Sequence, residues 1–204
     1  GDPVYLGGNT FIVRSYYPLP PTSNCPIPGA HYCLPYAPAL FRSGDGGVSW
    51  GFLSAPMGYE NIEKLAYLGK NKLVSGKLVP DPTGGDTLLI NAYVSMMGTS
   101  DHRFLRSVDG GMTWGQVGFP SEMTYSGNSS WTLTDFAYAG KGIVYALFFS
   151  TDNATGSYAS ALFKTRDGGD TWYKVGPLSF LGPNDYPFRL IFAGDNGAVP
   201  GRYP

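Results

Sequence analysis

Seven acidic residues of this 204-residue chain lie in Tyr-, Pro- and Gly-rich stretches: Glu60, Glu63, Asp101, Glu122, Asp135, Asp152 and Asp185. Two carboxyl groups a set distance apart can cleave a glycosidic bond, one as acid and the other as base or nucleophile. Nothing in their spacing marks a pair. Gly47-Val48-Ser49-Trp50-Gly51 matches a nucleophile elbow. Yet Ser49 occupies the position of Thr113 and Thr171 in a repeated pattern, which makes it a turn hydroxyl. Asp101-His102-Arg103 holds pieces of a triad or metal site, but the chain has only two histidines. With no partner motif, these residues read as a surface loop. Cys25, His31 and Cys33 are too few to hold zinc. No P-loop, dinucleotide fingerprint, EF-hand loop or zinc spacing occurs. No catalytic set is recognisable, and no metal or cofactor is expected.

The elements that must position these residues are short strands. Glycine (29) and proline (17) are abundant, and aromatics make up 15% of the chain. Charged residues reach only 14%, against roughly 25% in an ordinary soluble domain. Such a composition fits strands joined by turns and excludes a helical bundle or coiled coil. The net charge of −1 provides no basic excess for phosphates, so neither nucleic acid nor an anionic membrane surface is an expected partner. Apolar runs are too short for a membrane-spanning helix. Gly1-Asp2-Pro3 has no leader character, so a processed product or a piece of a longer chain is expected. Cys25 and Cys33 stand in a Pro-rich segment, where a local disulfide is expected, with free thiols or an intermolecular pair as alternatives. Asn128-Ser129-Ser130 and Asn153-Ala154-Thr155 are glycosylation sequons.

Self-similarity is the strongest signal. Arg42-Ser43-Gly44-Asp45-Gly46-Gly47-Val48-Ser49-Trp50 recurs as Arg106-Ser107-Val108-Asp109-Gly110-Gly111-Met112-Thr113-Trp114 and as Lys164-Thr165-Arg166-Asp167-Gly168-Gly169-Asp170-Thr171-Trp172. The three Asp residues stand 64 and 58 positions apart. In each copy the Asp can accept backbone N–H groups of its turn, and the glycines permit positive φ. The Trp offers a plate for packing against a neighbouring repeat. A weaker repeat precedes each copy: Val4-Tyr5-Leu6-Gly7, Ala66-Tyr67-Leu68-Gly69 and Ala137-Tyr138-Ala139-Gly140. Ile191-Phe192-Ala193-Gly194 follows the last. Each reads as a strand ending in a turn, so the segment around Ile62, Leu65 and Ala66 is a strand rather than an amphipathic helix. Four strands per repeat are expected. In the third they lie near Thr132–Ala139, Ile143–Ser150, Tyr158–Thr165 and Thr171–Val175. The second repeat carries about a dozen extra residues, leaving Lys72–Val79 and Thr87–Val94 as rival second strands.

The pattern Ser/Thr-x-Asp-x-Gly-x-Ser/Thr-Trp resembles the Asp-box, or BNR repeat, over nearly the whole chain. That repeat occurs in sialidases, xyloglucan-cleaving glycosidases, the sortilin-type receptor domain and a photosystem II assembly factor. The resemblance implies an all-β fold of antiparallel four-stranded blades of a β-propeller. Three Asp-box blades and the start of a fourth would form an incomplete ring, a single propeller segment over residues 1–204. The blades would span approximately 1–54, 55–118 and 119–176, with a partial one over 177–204. Asp45, Trp50, Asp109, Trp114, Asp167 and Trp172 would be structural. Sialidases also need three arginines, a Tyr–Glu pair and an Asp. Arg14, Arg103 and Arg189 are available, whereas Arg42 and Arg106 belong to the repeat. Phe188-Arg189-Leu190 resembles a sialidase motif in part, but Ile191 replaces its Pro and it follows the boxes instead of preceding them.

In such a blade the short turns and Asp-boxes share one face, and the long loops share the other. The long loops would be Pro18–Pro38, Ser95–Arg103, Thr151–Ser157, Ser54–Asn61, Gly118–Ser130 and Gly176–Pro187. Their aromatic and basic residues are the expected ligand contacts: Tyr32, Tyr36, Arg103, Tyr125, Trp131 and Tyr186. The function expected is an extracellular or cell-surface recognition or scaffold module that binds glycan or protein. The alternative is a fragment of a sialidase- or xyloglucanase-type glycosidase. Further blades from a longer chain, a second copy or another subunit are the expected structural partners, because open blade faces expose apolar surface.

Overall fold

The computed structural model describes residues 3–18, 36–54, 56, 58–96, 99–120, 123, 129–152, 158–178 and 190. Cys25 and Cys33, the Asn128 and Asn153 sequon positions, and the Ile191–Gly194 strand expected to open a fourth blade lie outside them.

Sheet 1 holds β1 (Val4–Gly7), β2 (Thr10–Pro18), β3 (Tyr36–Ser43) and β4 (Gly51–Ser54), in that spatial order. Sheet 2 holds β5 (Asn61–Val74), β6 (Lys77–Pro80), β7 (Gly85–Met96), β8 (Thr99–Ser107) and β9 (Gly115–Gln116), ordered β6-β5-β7-β8-β9. Sheet 3 holds β10 (Ser129–Tyr138), β11 (Val144–Asp152), β12 (Tyr158–Thr165) and β13 (Tyr173–Pro177), in chain order. Every strand pairing is antiparallel. The fold is all-β: successive up-and-down sheets stack face on face, with first strands β1, β5 and β10 adjoining. This is the arrangement of propeller blades.

The structure chooses β7 as the second strand of the middle repeat. Its Leu88, Leu89, Ile90 and Ala92 are buried because both faces of sheet 2 are covered. The extra residues extend β5 beyond the sheet and return it as β6, which makes this sheet five-stranded. A turn through Ser75 and Gly76, both at positive φ, joins the two strands. The supposed loop Ser95–Arg103 is instead mostly strand, since β7 runs to Met96 and β8 starts at Thr99. This long, tight hairpin pairs Val94 with Asp101 and Tyr93 with His102.

The three Asp-Gly-Gly turns share one hydrogen-bond pattern. Ser43 Oγ donates to Asp45 Oδ1 (2.7 Å), and Asp45 accepts from the backbone N–H and hydroxyl of Ser49. Ser107, Asp109 and Thr113 repeat this, as do Thr165, Asp167 and Thr171. Trp Nε1 closes each turn on a glycine carbonyl, Gly47, Gly111 or Gly169, at 3.0–3.1 Å. Each turn also bonds the backbone just before or at the start of the second strand of its own sheet, at the same end, through Gly46 N–H to Asn9 O, Gly110 N–H to Asp86 O and Gly168 N–H to Gly142 O. These turns therefore gather on one face, and the end of β7 and the start of β8 lie at the other.

Two cores lie on either side of sheet 2. Toward sheet 1 the core is aliphatic: Ile12, Leu40, Ile62, Leu88, Ile90, Ala92 and Leu105. Toward sheet 3 it is aromatic, with Phe104 stacked on Trp172 at 4.9 Å and edge-on to Phe136 and Phe148. Arg106 strengthens this second interface. Its guanidinium donates to the carbonyls of Asp167 and Gly168 and to Asp170 Oδ2 (2.9 Å).

Candidate functional site

At the loop end, each of two adjoining first strands carries a bulge. β5 pairs Ile62 with Ala92 and Lys64 with Asn91, which leaves Glu63 unpaired. β10 pairs Leu133 with Phe148 and Asp135 with Leu147, which leaves Thr134 unpaired. A bulge breaks the two-residue alternation and re-aims the side chains beside it. Arg14 of β2 spans from sheet 1 and donates to the carbonyls of Ile62 (2.7 Å) and Glu63, holding the β5 bulge in place.

The re-aimed Glu63 meets two residues of the long hairpin. Asn91 Nδ2 donates to Glu63 Oε2, and His102 Nδ1 lies 3.2 Å from that same oxygen. The imidazole is within ion-pair reach yet is not aligned for a hydrogen bond. It packs 5.2 Å from the Tyr93 ring and is only 8% exposed. Asn91 is fully buried, and its Oδ1 has no hydrogen-bond partner among the described residues. The adjacent pair is Lys64 Nζ and Asp135 Oδ1, 3.3 Å apart, and Asp135 Oδ2 accepts the N–H of Leu190 (2.9 Å). Tyr16 O–H donates to Asn61 Oδ1 (3.0 Å), tying sheet 1 to the start of β5.

Chemically, the cluster offers a half-buried carboxylate, an unpaired amide oxygen and an imidazole that can donate or accept. These groups suit hydroxyls. A buried acceptor without a partner costs about 1–3 kcal/mol, which an incoming hydroxyl would relieve. Of the seven acids considered from sequence, the structure brings Glu63 and Asp135 to this region, each with bonded partners. Glu122 and Asp185 lie outside the described residues.

The anticipated contact residues are dispersed. Tyr36 is exposed on sheet 1, edge-on to Tyr16 at 6.1 Å. Trp131 is half-buried on β10 against the aromatic core. Arg103 is on β8 and donates to the carbonyl of His102 (3.2 Å). Tyr32, Tyr125, Tyr186 and Arg189 lie outside the described residues. Sequence reasoning missed Asn91 and dismissed His102. A polar residue inside the run Leu88-Leu89-Ile90-Asn91-Ala92 was the available signal for Asn91. His102 gave no signal, because its burial depends on the length of the hairpin.

The fold and cluster thus define an all-β stack of propeller-type sheets with a polar side-chain cluster at its loop end. No protein-family model matches the chain. No curated protein matches it either. Among solved structures the chain is similar to "Hadza microbial sialidase Hz136", at TM-score 0.41 and 18% identity, over 86% of this chain and 33% of that one. The chain therefore spans about a third of the length of the structure it matches.

Proposed function

We propose that the chain is a propeller segment built on Asp-boxes that works as an extracellular recognition module, binding glycan through its loop face. The observation that carries this reading is the Glu63–Asn91–His102 cluster. Its buried Asn91 Oδ1 and His102 Nδ1 make no hydrogen bond with the described residues, and folding would not favour leaving them so unless a hydroxylated ligand or water completes them. Tyr16 and Tyr36, exposed nearby on sheet 1, offer ring faces of the kind that pack on sugars. The test is calorimetric titration with a panel of neutral and acidic oligosaccharides. Binding without turnover is expected, and Asn91→Ala should weaken it at least about tenfold, near 1.4 kcal/mol. Equal affinity of Asn91→Ala and the parent chain would reject the site.

A second reading, a glycosidase fragment, is favoured by one observation. Bulges on adjoining first strands hold two carboxylates, Glu63 and Asp135, at the same end of the fold. A pair of carboxyl groups is what glycoside hydrolysis requires. This reading predicts release of fluorophore from a fluorogenic sialoside or xyloglucan oligosaccharide, abolished by Glu63→Gln and by Asp135→Asn. Turnover by the parent chain would replace the binding-module reading with this one.

A further inference from the structure

The two internal sheet-to-sheet contacts use the same parts. The residue three past each box tryptophan leans on the second glycine of the next turn. A Cβ added to Gly111 would meet Leu53 Cδ2 at 2.9 Å, and one added to Gly169 would meet Val117 Cγ2 at 3.0 Å. The tryptophan of the following sheet donates to the residue one further on: Trp114 Nε1 to Ser54 Oγ (3.2 Å) and Trp172 Nε1 to Gly118 O (3.0 Å). A cation three residues before the turn Asp reaches forward to the next turn. Arg106 bonds the carbonyls of Asp167 and Gly168, and the Arg42 guanidinium lies beside Gly110.

Sheet 1 has the receiving half of this contact, with none of the described residues in it. A Cβ on Gly47 would meet only its own Trp50, at 3.8 Å. Among the described residues Trp50 Nε1 bonds only Gly47 O, and the ring is 40% exposed. Around it the outward face is aromatic: Phe52 and Tyr17, 53% and 45% exposed, pack 5.2 Å apart, and Tyr5 packs on Phe11 at 5.1 Å. Sheet 3 has the giving half, and none of the described residues engages it. Val175 is three past Trp172 and 50% exposed, Gly176 follows it, and Lys164 stands at the position of Arg42 and Arg106. The Lys164 ammonium lies over the Tyr145 ring of its own sheet, 5.1 Å from the centroid.

One chain thus carries both halves of a single interface at opposite ends. We infer that a second copy of this chain covers the outward face of sheet 1, docking the β13 edge of its sheet 3 there head to tail. Val175 would sit over Gly47, the Gly176 carbonyl would accept from Trp50 Nε1, and Lys164 would reach the Asp45 turn. A head-to-tail contact of this kind either closes a ring or propagates.

The test is the native mass of the full 204-residue chain by light scattering, with Phe52→Glu and Val175→Glu as interface variants. Both side chains are exposed in one copy, so circular dichroism should report an unchanged fold. The parent chain should give a multiple of 21.9 kDa. Each variant alone should weaken association at least about tenfold. An equimolar mixture of the two should recover a dimer, because the intact sheet 1 of one variant meets the intact sheet 3 of the other. A parent chain that stays monomeric at about 0.1 mM overturns the inference and assigns the face to another occupant. Variants that leave the mass unchanged, or a mixture that recovers nothing, overturn it too.

Discussion

Each of Asp45, Asp109 and Asp167 binds its own turn. The Ser49 hydroxyl and then its N–H hold the Asp45 carboxyl well below the usual carboxylate range. For Asp109 and Asp167, burial works in the opposite direction. It is outweighed by bonds from Thr113 and Ser107 in one and from Thr165 and Thr171 in the other, so both groups are also lowered. A carboxyl lowered by folding contributes stability that is present above its unfolded value, near 4, and lost as pH falls through the folded one. Urea midpoints should therefore be flat from about pH 7 to 5 as far as these groups are concerned and should fall below about pH 4. Asp109→Ala should cost about 2–3 kcal/mol, since it strands the N–H groups of Met112 and Thr113 as well as two hydroxyls. Urea unfolding at pH 7 measures that cost, and the variant should also show a shallower acid limb. A loss under 0.5 kcal/mol would mean that water replaces the carboxylate.

Sheets meet at backbone as well as at side chains. Gly118 passes so close to the third turn that a Cβ would lie 2.2 Å from the carbonyl oxygen of Asp170, which cannot move without opening the turn. Gly115, on the same edge of sheet 2, has nothing within 4 Å. Gly118→Ala should therefore lower stability by about 3 kcal/mol, while Gly115→Ala should stay within about 0.5 kcal/mol, both read by thermal unfolding. The β5–β6 hairpin is pinned the same way. Leu78 is buried, and its Cδ2 lies 2.4 Å from where a Cβ on Gly168 would stand. The four-strand repeat was readable because the Asp-Gly-Gly turn marks each final hairpin. The five-stranded middle sheet was not. Lys72–Val79 and Thr87–Val94 have similar strand patterns, and only packing against Gly168 and burial on both faces separate them.

In the whole molecule, sheet 2 is sandwiched between the other two, whereas sheet 1 leaves Tyr17, Trp50 and Phe52 exposed and sheet 3 leaves Tyr173 and Val175 exposed on its β13 edge. Stability should follow that order. At dilutions where single copies prevail, amide exchange should be slowest in β7 and β8, where Leu88, Leu89, Ile90 and Phe104 are fully buried, and fastest in β1, β6 and β13. Exchange of β13 as slow as that of β7 would show that sheet 3 is covered on its outer face in solution, as head-to-tail docking requires. The same openness accounts for the exposed Trp50. Its two counterparts are only half-buried or better because a neighbouring sheet supplies their second bond.

By itself the sequence determined the class of fold and the repeated Asp-Gly-Gly turns. These rest on contacts between residues two to four positions apart, such as Ser43 with Asp45 and Asp45 with Ser49, and local spacing encodes them. Only the tertiary structure decided where a site can lie. Glu63, Asn91 and His102 converge across three strands because a bulge removes one residue from register and a long hairpin carries an imidazole into the interior. Register and hairpin length are outcomes of packing over the whole sheet, so no short window of the chain records them.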